Sequence, residues 1–390
     1  MLAMPRLMKN WRPHLLAVAL LWPAYGHAQS AHPSPSQAQA LEQQGKLDEA
    51  VRIWQAVIER NPRDAAALAS LGVDFSKQQK YPEAASAYRK AIALDPQLPG
   101  IQLNLGLAEF KQGHFDAAVA PLSAALAAQP GNMQARALLG LSYYGAKRFV
   151  EASKQLELAA KADPANTQLR QVLAQSCLWA KKYDCALEEF RQIEERDPNS
   201  AAAHMLTGEA LDGLGRTPEA IDAFQAAAKA DPRAPSVNFG LGYLYWKLRQ
   251  YDDAKRAFEN ELAADSANSQ ALAYLGDIEL KNDNPEKALA LLKNAVRLQD
   301  DIRIAHLDIG AILTEQKHYQ DALVALQRAQ KLDPAQPDVH YRLGRLYEAM
   351  GSKPAAQTEF AKVRELHEKA DENLAHKMSG SQPPLSLPQP

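Results

Sequence analysis

Apolar residues along this chain fall into short runs of helical spacing, separated by two kinds of polar break. The run Ala66–Lys77 is followed by the polar stretch Gln78–Lys80. A second run begins at Pro82 and carries Ala84, Tyr88 and Ala91 on one face. Intervals of three and four residues place such side chains on one side of an α-helix. Proline is tolerated at the start of a run because a first-turn N–H has no helical partner. The pair Asp95-Pro96 then ends the run, since proline disfavours helix at the residue before it and brings no N–H of its own. The pattern predicts two amphipathic helices joined by a short turn, neither able to bury its apolar face alone.

This unit recurs every 34 residues. Pro62, Pro96, Pro130, Pro164, Pro198 and Pro232 share one phase, and Pro334 returns to it after Ser266 and Asp300. Ala50, Ala84, Ala118, Ala152, Ala186, Ala220, Ala254, Ala288, Ala322 and Ala356 form an unbroken series. Gly72, Gly106, Gly140, Gly208, Gly242, Gly276, Gly310 and Gly344 form another, interrupted by Ala174. Ten units therefore begin at residues 31, 65, 99, 133, 167, 201, 235, 269, 303 and 337. Gly at the eighth position and Ala at the twentieth are small where helix backbones must approach. A larger side chain at Ala186 should cost about 1–3 kcal/mol by overpacking. The first unit opens on the Pro- and Ser-rich stretch 32–37, which predicts a short capping helix.

A 34-residue helix–turn–helix resembles the tetratricopeptide repeat. The second unit carries the matching residues as Leu71, Gly72, Phe75, Ala84, Tyr88, Ala91 and Pro96; the eighth departs most, with Glu279 and Asp300 at two of those places. The resemblance covers 31–370. It implies an all-α fold, an α-solenoid wound as a right-handed superhelix, whose first helices line a concave groove for a protein partner. Groove positions then hold Leu103, Phe110, Tyr144, Trp179, Phe239, Tyr243 and Trp246, followed by Tyr274 and Asp277. Aromatic side chains suit recognition of an extended peptide or a partner helix, because they offer large contact area with little rotamer loss. The alternative is that several of them pack between adjacent repeats. Some relatives hold chaperone C-termini with Lys and Asn at groove positions, but Ala69 and Val73 stand there in the second unit.

Residues 1–28 read as a secretory signal peptide. Arg6, Lys9 and Arg12 precede the apolar run Leu15–Trp22, and Gly26 and Ala28 are the small residues of a cleavage site after Ala28. This run is too short to span a bilayer, which takes about 20 apolar residues. The leader predicts a periplasmic or secreted protein. Removing it takes three basic residues and no acid, moving the net charge from −2 to −5. Neither value gives the basic footprint of a nucleic-acid binder. The proline-rich stretch 371–390 is expected to be a disordered tail. Leader, repeats 29–370 and tail leave no length for a catalytic domain.

The chain shows no HExxH, GxSxG or phosphate-binding loop, and its histidines are scattered; no catalytic residue, metal or cofactor is expected. Cys177 and Cys185 fall at positions 11 and 19 of the fifth unit, facing each other across the inter-helix turn. In an oxidising compartment they could form a disulfide worth about 2–3 kcal/mol in the chain-entropy account; otherwise they are two small buried thiols. The expected function is a non-enzymatic adaptor of a cell-envelope complex. The alternative is a module that holds a polysaccharide or small ligand across the aromatic stretch 239–274.

Overall fold

The computed structural model describes residues 33–379. The expected leader, 1–28, lies outside the described residues. The chain divides into two compact units, Met1–Pro198 with Glu209–Leu214, and Asn199–Gly208 with Gly215–Pro390. Unit 1 holds α1 (Pro35–Gln43), α2 (Leu47–Arg60), α3 (Ala65–Lys77), α4 (Tyr81–Leu94), α5 (Ile101–Lys111), α6 (Phe115–Ala128), α7 (Met133–Gly145), α8 (Phe149–Ala162), α9 (Thr167–Trp179), α10 (Tyr183–Glu194) and the end of α11 (Ala201–Gly213). Unit 2 holds the start of α11 and then α12 (Thr217–Ala230), α13 (Val237–Lys247), α14 (Tyr251–Ala264), α15 (Ser269–Lys281), α16 (Pro285–Leu298), α17 (Arg303–Glu315), α18 (Tyr319–Leu332), α19 (Pro337–Ala349) and α20 (Lys353–Ser379). Every described element is a helix, and successive pairs repeat the helix–turn–helix read from the sequence. The first helix, α1, is the short one expected.

Local chemistry explains where the helices begin. Asp64, Asn132, Asn166 and Asn268 stand just before α3, α7, α9 and α15, and each side chain accepts from a first-turn N–H at 2.9–3.0 Å. In the third and seventh repeats that place is taken by Leu98 and Ala234, which cannot cap. There α5 and α13 start later, behind Gly100 and Ser236, both at positive φ. The residue before the recurrent proline builds an Asx turn: Asp95, Asp231 and Asp333 accept from the N–H two residues on, at 2.9–3.1 Å. Asp265 does the same with Ser266 after it, at 3.0 Å, so the carboxylate suffices where the proline is missing.

Position 15 of all ten repeats has positive φ. It is Gly45, Gly113, Gly215 and Gly351 in four, and Gln79, Lys147, Lys181, Arg249, Asp283 and Lys317 in the rest. This residue ends the first helix in the left-handed conformation and turns the chain into the second.

The core follows from the small positions. All ten alanines of the twentieth position are buried. A Cβ on Gly72 would stand 2.5 Å from the Tyr88 ring, and one on Gly242 would stand 2.6 Å from Phe258. The ring at position 24 occupies the space that glycine leaves. In each unit the first helices of neighbouring repeats touch: α3 with α5, α5 with α7 and α7 with α9, then α13 with α15, α15 with α17 and α17 with α19. Among the described residues the second helices make no comparable contacts with one another. The first helices therefore form the inner layer of each unit.

The tail departs from expectation. Helix α20 continues past the repeat boundary at 370 as far as Ser379. Residues 371–379 contain no proline and include the helix formers Glu372, Leu374, Ala375, Lys377 and Met378. Proline enrichment begins at Pro383; residues 380–390 lie outside the described residues.

Candidate functional site

In unit 1, Tyr144 on α7 stacks on Trp179 of α9 with ring centroids 5.5 Å apart. Phe149, at the start of α8, packs on Trp179 at 4.8 Å. The Tyr144 hydroxyl donates to Gln175 Oε1 at 2.6 Å, and burial pushes this phenol up to about 12. Trp179 remains 37 % exposed. Leu103, on α5, is half-buried. Phe110 is a correction to the expected groove: it is buried, edge-on to Phe115 at 5.6 Å. The reason lies in the next repeat. Gly145 offers no side chain there, and a Cβ on it would meet the Phe115 ring at 2.5 Å, so that ring closes over the site.

In unit 2, four of the expected residues form one continuous aromatic wall. Tyr243 lies 6.2 Å from Trp246 and 5.7 Å from Tyr274; Trp246 meets Tyr274 edge-on at 5.0 Å, and Phe239 lies 6.0 Å from it. All four are half-buried. Phe258 stacks beneath Tyr274 at 5.6 Å and anchors the wall to the core of α14 and α15. The late start of α13 is supported from outside: Glu261 of α14 accepts from the Phe239 backbone N–H at 3.1 Å and from Asn268 at 2.9 Å. A carboxylate at a helix N-terminus is favoured by the helix dipole, and this one fixes where Phe239 stands.

Asp277 is the second correction. It is 4 % exposed, not an open groove residue. Trp246 Nε1 donates to its Oδ2 at 2.5 Å, and the Lys281 ammonium donates to its Oδ1. The same ammonium stands 5.9 Å from the Trp246 ring centroid and 5.8 Å from that of Tyr251. Behind Asp277 lies Asp308 of α17, buried, with its Oδ2 receiving no hydrogen bond from any donor. Burial, and then the Asp277 carboxylate, push Asp308 far above the usual carboxylate range, to about 8; Lys281 and Arg342 oppose this. A hydrogen bond between the Asp308 and Asp277 side chains acts in the same direction, so the two carboxyl groups share the proton that burial favours.

Glu279, two residues further along α15, shows the opposite outcome. Burial would raise it, but Lys255 and Lys287 at 2.8 Å and Asn284 at 3.0 Å donate to it and hold it down at about 2. This departure from the repeat signature is a fully satisfied structural ion cluster.

Cys177 and Cys185 are joined in a disulfide with Cα atoms 5.8 Å apart, closing the turn between α9 and α10. Among the described residues no group of three or more His, Cys, Asp or Glu side chains is placed to hold a metal ion, and no helix is long and apolar enough to cross a membrane. A cleft of unit 1 between α2, α3 and α4, lined by Ile58, Leu68, Phe75 and Lys90 among others, contains none of the expected groove residues.

Lys281, Asp308, Gln175, Phe149 and Tyr251 are not reached by reading one repeat at a time. A signal for two of them exists. Tyr81, Phe115, Phe149, Tyr183, Tyr251 and Tyr319 all fall at position 17, an aromatic series broken by Leu47, Thr217, Pro285 and Lys353.

A family model for the tetratricopeptide repeat matches residues 36–99, 103–167, 174–235 and 239–301, and a second TPR model matches 310–351. The chain belongs to the tetratricopeptide repeat family. Anaphase-promoting complex subunit 3 of Schizosaccharomyces pombe (strain 972 / ATCC 24843) is 26 % identical over 132 residues. That match takes in 34 % of this chain and 20 % of the relative, so the chain spans about a fifth of that protein's length. The crystal structure of the APC/C hetero-tetramer Cut9–Hcn1 is similar with a TM-score of 0.51 at 14 % identity, covering 84 % of this chain and 79 % of that one. It shares the TPR solenoid fold. The crystal structure of YrrB, described as a TPR protein with an unusual peptide-binding site, matches 50 % of this chain and all of its own at 24 % identity, with a TM-score of 0.39.

Proposed function

We propose that this TPR protein is a non-enzymatic scaffold of the cell envelope, taking an extended peptide or partner helix along the inner layer of unit 2. The aromatic wall of Phe239, Tyr243, Trp246 and Tyr274 carries this reading. Its rings are half-buried, on the helices that line the inner layer. Rigid amphipathic rings gain contact area at low entropic cost, which is what binding a flexible segment requires. Periplasmic location rests on the leader at 1–28, and a disulfide at Cys177–Cys185 suits an oxidising compartment.

The test is affinity capture from envelope extract by the wild-type protein and by a Tyr243→Ala/Trp246→Ala variant, with both melted beforehand. A protein retained by the wild type and lost by a variant that still melts within a few degrees of it supports the scaffold reading. Equal capture by both overturns the assignment to unit 2. Carbohydrate recovered without protein would replace this reading with the polysaccharide-binding one.

A further inference from the structure

The tenth repeat leaves open a surface that every other repeat buries. The side chain at position 24 is buried in the first nine repeats, from Trp54 to Leu326. Phe360, at the same position of the tenth, is only half-buried. Unit 2 shows what covers this position elsewhere. Position 6 of the following repeat lies over it: Tyr274 stacks on Phe258 at 5.6 Å, and a Cβ on Gly240 would strike the Phe224 ring. Beyond the tenth repeat α20 runs unbroken through 371–379, so no new first helix begins there to cover Phe360. Tyr341, whose ring lies 6.0 Å from Phe360, is 45 % exposed, although Ala137, Ala273 and Leu307 at its position are buried. Phe360, Val363, His367 and Ala370 follow at intervals of three and four and share one face of α20. The end repeats of a solenoid are ordinarily closed by a polar outer face. The first repeat meets this with Gln37, Gln39 and Gln43 exposed on α1; the tenth presents two rings and a valine.

The segment after Ser379 has the composition and the reach to close this face. Residues 380–390 hold four prolines, Leu385 and Leu387, and no charged side chain. Gly380 comes directly after the last helical residue, where glycine serves to end a helix and reverse the chain, and Pro383 and Pro384 cannot continue it. Proline-rich chain rises about 3.1 Å per residue, against about 1.5 Å in a helix. Each residue that returns along α20 therefore passes about two of the helix. From a turn at Gly380 and Ser381, Leu387 comes level with His367, and Pro390 with Phe360.

We propose that residues 380–390 fold back along α20 and close the open end of unit 2, with Leu387 and the prolines after it packed on Val363, Phe360 and Tyr341. The segment does for the tenth repeat what the next first helix does for the others. Proline-rich chain is already extended, so it gives up little conformational freedom on docking. This face is separate from the aromatic wall, and the proposal stands or falls independently of the peptide-binding reading.

The experiment compares the wild-type protein with one shortened to end at Ser379, by hydrogen exchange read by mass spectrometry. Amides of residues 356–370 are expected to exchange about tenfold faster in the shortened protein, with those of α13 to α16 unchanged. The synthetic peptide 380–390, added in excess, restores the slower rate; the same peptide with Leu385 and Leu387 both replaced by Ser does not. Equal exchange in the two proteins overturns the proposal, as does rescue by the Ser-substituted peptide. A second measurement keeps the full chain. Ser386→Cys/Ala370→Cys, mildly oxidised with glutathione disulfide, is expected to close a new disulfide within one molecule. A disulfide formed only between molecules assigns the face to a second copy and overturns the proposal, and so does the absence of any.

Discussion

Three repeats separate two versions of one construction. In the fourth and fifth repeats, position 12 is Tyr144, position 17 is Phe149, and positions 9 and 13 of the following repeat are Gln175 and Trp179. In the seventh and eighth the same places hold Trp246, Tyr251, Asp277 and Lys281. Both versions keep the hydrogen bond from position 12 to position 9 of the next repeat. Both put the side chain at position 13 against the rings at 12 and 17, an indole in one and an ammonium in the other. The first version is a neutral, self-satisfied stack. The second trades a ring for a charge and leaves a protonated carboxyl behind it. An aromatic series alone does not define a binding site; what stands next to it in the adjoining repeat decides whether the cluster is closed by a ring or by an ion pair.

The largest expected effect is on the neutral version. Trp179→Ala removes the ring that Tyr144 and Phe149 both pack on. It should destabilise by about 2–3 kcal/mol, less than for a wholly buried tryptophan because part of Trp179 is exposed. Denaturant unfolding measures it, and a loss under about 1 kcal/mol would mean the stack is ornamental.

A glycine at position 13 is a third solution, and Gly145→Ala probes it. The added Cβ must displace Phe115, so a loss of about 1–3 kcal/mol is expected in the same assay. A neutral outcome would show that Phe115 yields easily.

Asp308→Asn tests the charged version. The native carboxyl titrates higher than the unfolded one, so its contribution is complete at low pH and is lost as pH rises from about 4 towards 8. The variant should therefore match the wild type near pH 3 and exceed it near pH 9, by a stability difference of at least about 2 kcal/mol. Parallel stability–pH curves for the two proteins would refute the buried, proton-holding state.

The smallest effect belongs to Lys281→Met. Its ammonium is partly exposed, so under about 1 kcal/mol should be lost at neutral pH and low salt, and the difference should shrink in high salt. A salt-independent loss would assign Lys281 to packing rather than charge.

Much of this was legible in the sequence. A strict period of 34 places every turn, and small residues mark every helix crossing, because those requirements are met within one repeat. The aromatic wall was legible for the same reason: Phe239, Tyr243, Trp246 and Tyr274 occupy first-helix positions. Phe110 and Asp277 were misjudged because burial at one position is set by a residue in an adjoining repeat. The missing side chain at Gly145 lets Phe115 close over Phe110, and Trp246 of the preceding repeat closes over Asp277. Asp308 escapes notice because nothing in its own repeat distinguishes it from a solvated aspartate.

The disulfide of the fifth repeat bears on how the molecule comes apart. In a solenoid each repeat touches only its neighbours, so opening spreads stepwise along the array and contacts of low sequence separation form fast. Cys177–Cys185 ties the two helices of one repeat across their turn. That hairpin cannot separate fully when the helices around it melt. It remains a preformed template on which α8 can re-dock, so unit 1 has a fixed point from which helix order regrows. Amides of α9 and α10 should be the slowest in unit 1 to exchange with solvent, and reduction should bring them level with those of the repeats before them.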